Sequence, residues 1–483
     1  MALGMPSDRM PSSMRNGLAV GVRRIASVAL VTALSSFPFI AFSDKPPGEP
    51  TAKPDAGSVT QLLAAADDIT RQVAALRGLQ PRRQIERGVL TREEIGARLK
   101  ERIAKEYTPE EIRVESRVLK RLGLLPADAD YQAILLDLLM EQVAGFYDPF
   151  TRKLYIADWL GLELQRPALA HEIQHALQDQ HFDLKTFATP IKDDGDRQLA
   201  RSALVEGDGT ATMLEFFAQS LGLDVARVTA LGDSLGKQLA AGMVAQSPAF
   251  TRAPRFLRET LLFPYFSGLN FVLAIRKGQP WSKVDEAFRA PPESTEQVLH
   301  PEKYFARERP SAIVTAPLAA LGPRKELRRD VLGEMALRVL FAAHLPDGAA
   351  ERAAAGWGGD RLVAFGEADD GKPITVIDYS SWDTEEDAKE AAGAMQKLMA
   401  RQTGKDTNPK NLDFKESKEG AASFDVGGES FSCERRGREV LSIFGVPTEL
   451  RAAVADEVWA KWKVSYTPAA PRRPDKKSDR RKP

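Results

Sequence analysis

Cysteine is nearly missing: the chain of 483 residues has one, Cys433. That excludes an intrachain disulfide and a zinc site built on several thiolates. Histidine is scarce, with five. Net charge is absent, since 67 basic and 67 acidic side chains cancel. No basic stripe interleaved with aromatics points to nucleic acid as a partner. No stretch beyond the N-terminus is long and apolar enough to cross a bilayer, and no internal repeat is evident. What remains is 43% hydrophobic and 28% charged, the composition of a globular chain with a large core and room for two or three domains.

The two ends stand apart from that body. Arg15, Arg23 and Arg24 precede the apolar run Ile25–Phe42, and the small residues Ala41 and Ser43 close it. This is the order of a secretory signal over residues 1–43, cut near Ser43–Asp44, and hence of an exported, periplasmic or extracellular protein. An uncleaved membrane anchor is the competing reading; Pro38 interrupts the run, whose length is at the lower limit for a span. Residues 44–58, with four prolines, read as a linker. At the far end, residues 467–483 are proline-rich and basic and read as a disordered tail, with a peripheral contact to an anionic envelope surface as its one functional alternative.

Residues 59–125 read as helical, with Leu62, Leu63, Ala66, Ile69 and Val73 at helix spacing. Thr91 with Glu94, and Thr108 with Pro109 and Glu111, are capping boxes, and Gly123 is a stop. A propeptide, a lid and a part of the catalytic domain are all compatible with this pattern. Tyr131–Gln142 is a further helix. Gly145–Ala157 changes to two short aromatic and β-branched runs around Asp148-Pro149, a hairpin signal. It is either a surface hairpin or a cleft strand to whose edge a peptide can add.

Ala168–Leu184, ALAHEIQHALQDQHFDL, organises the rest. His171, Glu172 and His175 spell H-E-x-x-H. Histidines four apart project from one helix face and can reach a single ion, while Glu172 lies close enough to touch a water on it. Leu169, Ile173, Ala176 and Leu177 supply an apolar side, and Pro167 is placed as a first-turn proline. A catalytic zinc needs a third protein ligand and an open position. His181 has the metzincin spacing, but that motif needs glycine where Gln178 stands, and on a continuous helix six positions turn His181 about 120° away from His175. Glu206 is the other candidate, on a separate helix from about Arg197 to Leu221. Gly207 beside it, where a helix former is preferred, signals close approach to a neighbouring element.

HEIQH together with LVEGDGTA (Leu204–Ala211) resembles the gluzincin zinc metallopeptidases, over about forty residues of the chain. The resemblance implies a mostly helical, zincin-like catalytic domain, here residues 126–345, with zinc held by His171, His175 and Glu206. It further implies Asp179 as the carboxylate that accepts the other ring N–H of a ligating histidine. Glu172 is then the general base. His300 and Tyr304, in the stretch Pro291–Tyr304, are candidates for the donor to the developing oxyanion, against a structural role for His300; His344 reads as structural. The substrate class is a peptide or protein.

Alanines and glycines around Leu345–Trp357 mark a boundary, after which residues 356–466 read as a compact α+β module without a site. Its expected strands are Arg361–Phe365, Ile374–Tyr379, Ser423–Val426, Ser430–Cys433 and Val440–Phe444. Its expected helices are Thr384–Arg401, with Asp383 as cap, and Pro447–Lys463. The fold class is therefore α+β. Against the peptidase stands a second reading, a cell-envelope binding or assembly protein with a structural or vestigial zinc. A zinc hydrolase acting on another bond is a third.

Overall fold

The computed structural model describes residues 56–142, 145–158, 162–223, 247–367, 371–408 and 420–465, and within 224–246 only residues 238, 241, 242, 244 and 245. The proposed signal, most of the linker and the basic tail lie outside the described residues. The fold is mixed α+β, as the sequence leads one to expect. Among the described residues no helix is long and apolar enough to cross a membrane.

The N-terminal part opens with α1 (Ala56–Arg77), strand β1 (Glu86–Leu90), α2 (Arg92–Glu106) and α3 (Pro109–Leu122). Both capping boxes form as expected, at Thr91 and Thr108, and Gly123 ends α3 in the left-handed conformation at φ 77°. Then come α4 (Tyr131–Gln142), the hairpin β2 (Gly145–Asp148) and β3 (Lys153–Ala157), and α5 (Leu162–Phe182), which carries the H-E-x-x-H residues. Pro167 lies inside α5 rather than at its first turn. β1 pairs in parallel with β3, giving a three-stranded sheet in the order β1-β3-β2. The helical pattern read from 59 to 125 thus hides a strand. A five-residue run with a single fully buried apolar residue, Leu90, carries too little periodicity to announce itself.

Ala66, Ile69, Val73 and Ala74 of α1 form one apolar cluster with Leu154 and Ile156 of β3 and Leu169, Ile173 and Leu177 of α5. Arg121 of α3 makes a two-pronged ion pair with Glu429 at 2.9 and 3.1 Å, in the C-terminal sheet. The described N-terminal helices therefore pack against α5 at one end and tie into the C-terminal sheet at the other.

After α5 the long helix α6 (Gly195–Ser220) folds back against it, and α7 (Arg255–Arg276) crosses α6, followed by α8 (Ser282–Arg289). Two short helical turns, Thr295–Leu299 and Pro301–Ala306, precede β4 (Ala312–Val314), β5 (Lys325–Asp330), α9 (Gly333–Ala342) and α10 (Asp347–Ala354). The C-terminal sheet continues with β6 (Trp357–Gly366), β7 (Thr375–Trp382), α11 (Glu385–Gln402), β8 (Ala421–Val426), β9 (Glu429–Arg436), β10 (Glu439–Pro447), α12 (Arg451–Lys461) and β11 (Lys463–Ser465). Its six strands run in the order β5-β6-β7-β10-β9-β8, each antiparallel to its neighbours.

Two expectations for this module are corrected. The sheet starts at β5, well before residue 356, because Lys325–Asp330 pairs with β6; the Ala/Gly-rich stretch at 345–357 is a helical excursion inside the module rather than a boundary. The cap of α11 is Thr384, whose side chain accepts from the Asp387 amide in a third capping box, and not Asp383. One apolar cluster runs from Leu90 and the N-terminal helices through α6, α7 and α9 to Val376, Phe431 and Phe444 of the sheet. The helical part and the module share a core.

Candidate metal centre

Two buried helices build the site. Every residue of α5 from Pro167 to Gln180 is buried, as is every residue of α6 from Ser202 to Phe216. Helices that are covered all round carry polar side chains only where those side chains meet partners. α6 gets close to its neighbours by being small. A Cβ on Gly207 would stand 2.2 Å from the Gly268 backbone, and one on Gly268 would stand 2.1 Å from the Ala203 carbonyl oxygen. The close approach signalled by Gly207 is thus the crossing with α7. Gly209 serves the site itself: its missing side chain leaves room for the His171 ring, which a Cβ would meet at 2.8 Å.

Three donor atoms converge there. His171 Nε2 and His175 Nε2 are 2.9 Å apart, and Glu206 Oε2 lies 3.0 Å from the first and 3.3 Å from the second. Donors 2.0–2.1 Å from one tetrahedral ion stand about 3.3 Å apart, so this triangle needs only a slight expansion to hold one. Glu206 is wholly buried and its Oε1 has no hydrogen-bond partner among the described residues. Three lone pairs pressed together in a buried place call for a cation. Without a metal a proton takes that part. Burial works against charge on His175, but the Glu206 carboxylate outweighs it and pulls the imidazole up to about 9. Burial and then the charge on His175 push His171 down. Glu206, although burial opposes it, is held below its ordinary value by His175 and His171. Two nitrogens, one carboxylate oxygen and a missing positive charge are a donor set that fits zinc.

Glu172 lies near enough for its charge to act on His175 and Tyr265. Its Oε2 accepts the backbone N–H of Tyr147 at 2.8 Å, and the Tyr147 hydroxyl donates to Asp179 Oδ2 at 2.8 Å. Tyr147 thereby pins β2, the edge strand of the small sheet, along α5 at two points. The hairpin is packed against α5 and is not a surface feature.

The other expected residues are distributed as follows. His181 Nε2 lies 2.8 Å from the Gln80 carbonyl oxygen and so donates to it, away from the triangle. α5 continues through Gln178, and the left-handed residue after it comes at Asp183, φ 55°, too late to bring His181 back. Asp179 does not receive a ring N–H. It holds Tyr147, Arg83 at 2.8 Å and the Leu184 amide at 3.1 Å. The acceptor for His175 Nδ1 is Gln178 Oε1 at 2.7 Å. His300 Nε2 pairs with Glu334 at 2.8 Å, and the Tyr304 hydroxyl donates to the Ala290 carbonyl at 2.8 Å; the polar atoms of both are committed elsewhere. His344 is partly buried, and its backbone carbonyl takes an N–H from Arg401.

Sequence reading missed Tyr265. Its ring centroid is 6.1 Å from that of His171, and burial, then the Glu206 and Glu172 carboxylates, push its phenol well above the usual range. One turn before Gly268, it is carried to the site by the α6–α7 crossing, which no local pattern announces. A second group of acids lies apart from the site. Glu296, Glu308 and Asp383 offer oxygens within 4.8 Å of one another. They surround Lys303 Nζ, at 2.6 Å for Glu296 and 3.0 Å for Glu308, with Asp383 in contact.

Among known proteins, the profile of a domain of unknown function (DUF8575) matches residues 321–456. The match begins just before β5 and covers the sheet module, and His171, His175 and Glu206 lie wholly outside it. No curated protein and no solved structure matches the chain.

Proposed function

We propose that the protein is an exported, zinc-dependent metallopeptidase of gluzincin type, with His171, His175 and Glu206 as ligands and Glu172 as general base. The observation that carries this reading is the triangle of donor atoms at 2.9, 3.0 and 3.3 Å with Glu172 beside it. A zinc ion in that triangle would supply Lewis acidity, polarising a substrate carbonyl and making water acidic. The protein's own residues do the rest. Glu172 takes the proton of the attacking water on a carboxylate oxygen and delivers it to the leaving nitrogen. The Tyr147 amide holds one Glu172 oxygen in place. Tyr265 replaces His300 and Tyr304 as the donor to the oxyanion, because its ring lies beside His171 and its buried phenol keeps its proton. The edge of β2 is the strand along which an extended peptide would lie.

The structural-zinc alternative calls for a fourth protein ligand, and His181, which would provide it, is bound to the Gln80 carbonyl. Export rests on the N-terminal signal pattern alone. The test is metal analysis with a general protease assay, with and without chelator. One zinc per chain and chelator-sensitive cleavage are expected, and Glu172→Gln should keep the metal while turnover falls about 10²–10⁴-fold. A Glu172→Gln variant as active as the parent would sink the mechanism.

A further inference from the structure

Behind the metal triangle lies a chain of buried polar groups that the chemistry above does not use. Gln178, fully buried, touches His175 with its Oε1 at 2.7 Å. Its Nε2 faces two acceptors, Asp208 Oδ2 at 2.7 Å and the Val205 carbonyl at 3.1 Å. Those two acceptors leave the amide one orientation: its N–H groups must face α6 and its oxygen must face His175. An oxygen can only accept, so His175 Nδ1 bears a proton, and Nε2 is the nitrogen left to face His171, Glu206 and any metal.

Asp208 is itself held. It takes Arg77 Nε on Oδ1 at 2.7 Å and Gln174 Nε2 on Oδ2 at 2.9 Å. Arg77, from α1, is fully buried, donates also to Asp285 at 2.8 Å and lies 4.5 Å over the Trp281 ring. Three donors on two oxygens require a carboxylate; an asparagine there would set its N–H₂ either against the two glutamine amides or against the Arg77 N–H.

We infer that Gln178 is a positioning residue, oriented by Asp208 and Arg77, that fixes the tautomer of His175 and thereby sets the affinity of the site for its metal. This rests on the zinc-site reading above. It adds that a neutral amide, one step removed from a buried carboxylate, does what a carboxylate directly on the ring commonly does. The consequence for the fold is that α1, far from the reacting atoms in sequence, is linked to the metal through Arg77.

The test is a matched pair of variants in the full chain, Gln178→Met and Gln174→Met. Both remove a buried amide that donates to the same oxygen of Asp208, and only Gln178 touches a histidine. Zinc affinity, by competition with a chromophoric chelator, should fall about 10–100-fold in Gln178→Met and stay within a few-fold of the parent in Gln174→Met. A second readout is the ¹H–¹⁵N spectrum of the zinc-loaded protein. A slowly exchanging His175 Nδ1–H is expected in the parent and in Gln174→Met, and its loss in Gln178→Met. Equal affinities in the two methionine variants, whether both reduced or both unchanged, would overturn the inference while leaving the zinc site standing. A parent chain that takes up no zinc would overturn the zinc reading itself, and this inference with it.

Discussion

Among the described residues, two groups of three ligand-type side chains are buried or half-buried, and they differ in one respect. Glu296, Glu308 and Asp383 enclose an ammonium, Lys303 Nζ, supplied by the chain itself. His171, His175 and Glu206 enclose nothing that the described chain supplies except a proton on His175. Convergent acids alone are therefore a poor sign of a metal. What separates a structural ion pair from a candidate centre is whether the compensating positive charge is already built in. The first cluster knots the short turns at 295–306 to the end of β7, and the second, on the zinc reading, would be completed from outside.

That contrast can be broken from either side. The largest effect is expected on the incomplete cluster: Glu206→Gln should reduce zinc content from one per chain to none at micromolar metal, read by elemental analysis after gel filtration, with the fold intact by circular dichroism. Lys303→Met, in the complete cluster, should leave zinc content unchanged. It should lower stability by about 3 kcal/mol in urea unfolding, since it strands carboxylates that the lysine neutralises. Loss of zinc in the lysine variant, or none in the glutamate variant, would erase the distinction.

The proton that stands in for the ion gives a pH dependence. Since His175 is pulled up to about 9 when metal is absent, zinc must displace a proton at any pH below that. Apparent affinity should rise about tenfold per pH unit toward pH 9 and then level off. Calorimetry in buffers of different ionisation enthalpy should register one proton released at pH 7.5. In the metal-free protein the same raised pKa stabilises the fold below the ordinary histidine value, and that contribution disappears as pH climbs through about 9. The smallest effect is expected at Asp179→Asn. With its hydrogen bonds on Tyr147, Arg83 and Leu184, it should cost about 1 kcal/mol of stability and change zinc affinity less than twofold.

The sequence was informative where chemistry is written in short spacing. His171, Glu172 and His175 are fixed by one helix turn, and Glu206 with Gly207 marks the next helix and its close crossing. Capping boxes at Thr91 and Thr108 are local too. What escaped was set by tertiary contact. β1 is a strand only because β3 lies beside it. Tyr265 reaches the site through a helix crossing. The choice of Gln178 over Asp179 as the histidine's partner depends on which way α5 faces α6, a rotation of one residue that spacing along the chain does not define. Likewise, β5 belongs to the C-terminal sheet by pairing with β6, whereas composition placed the boundary at the alanine-rich helices that follow it.

The most direct test of the central claim is zinc K-edge X-ray absorption on the full chain loaded with one equivalent of zinc. Two imidazole nitrogens, with oxygen from Glu206 and from water completing a four-coordinate shell at about 2.0–2.1 Å, is the expected result. A shell filled by four protein ligands, or a chain that retains no zinc at all, would contradict it.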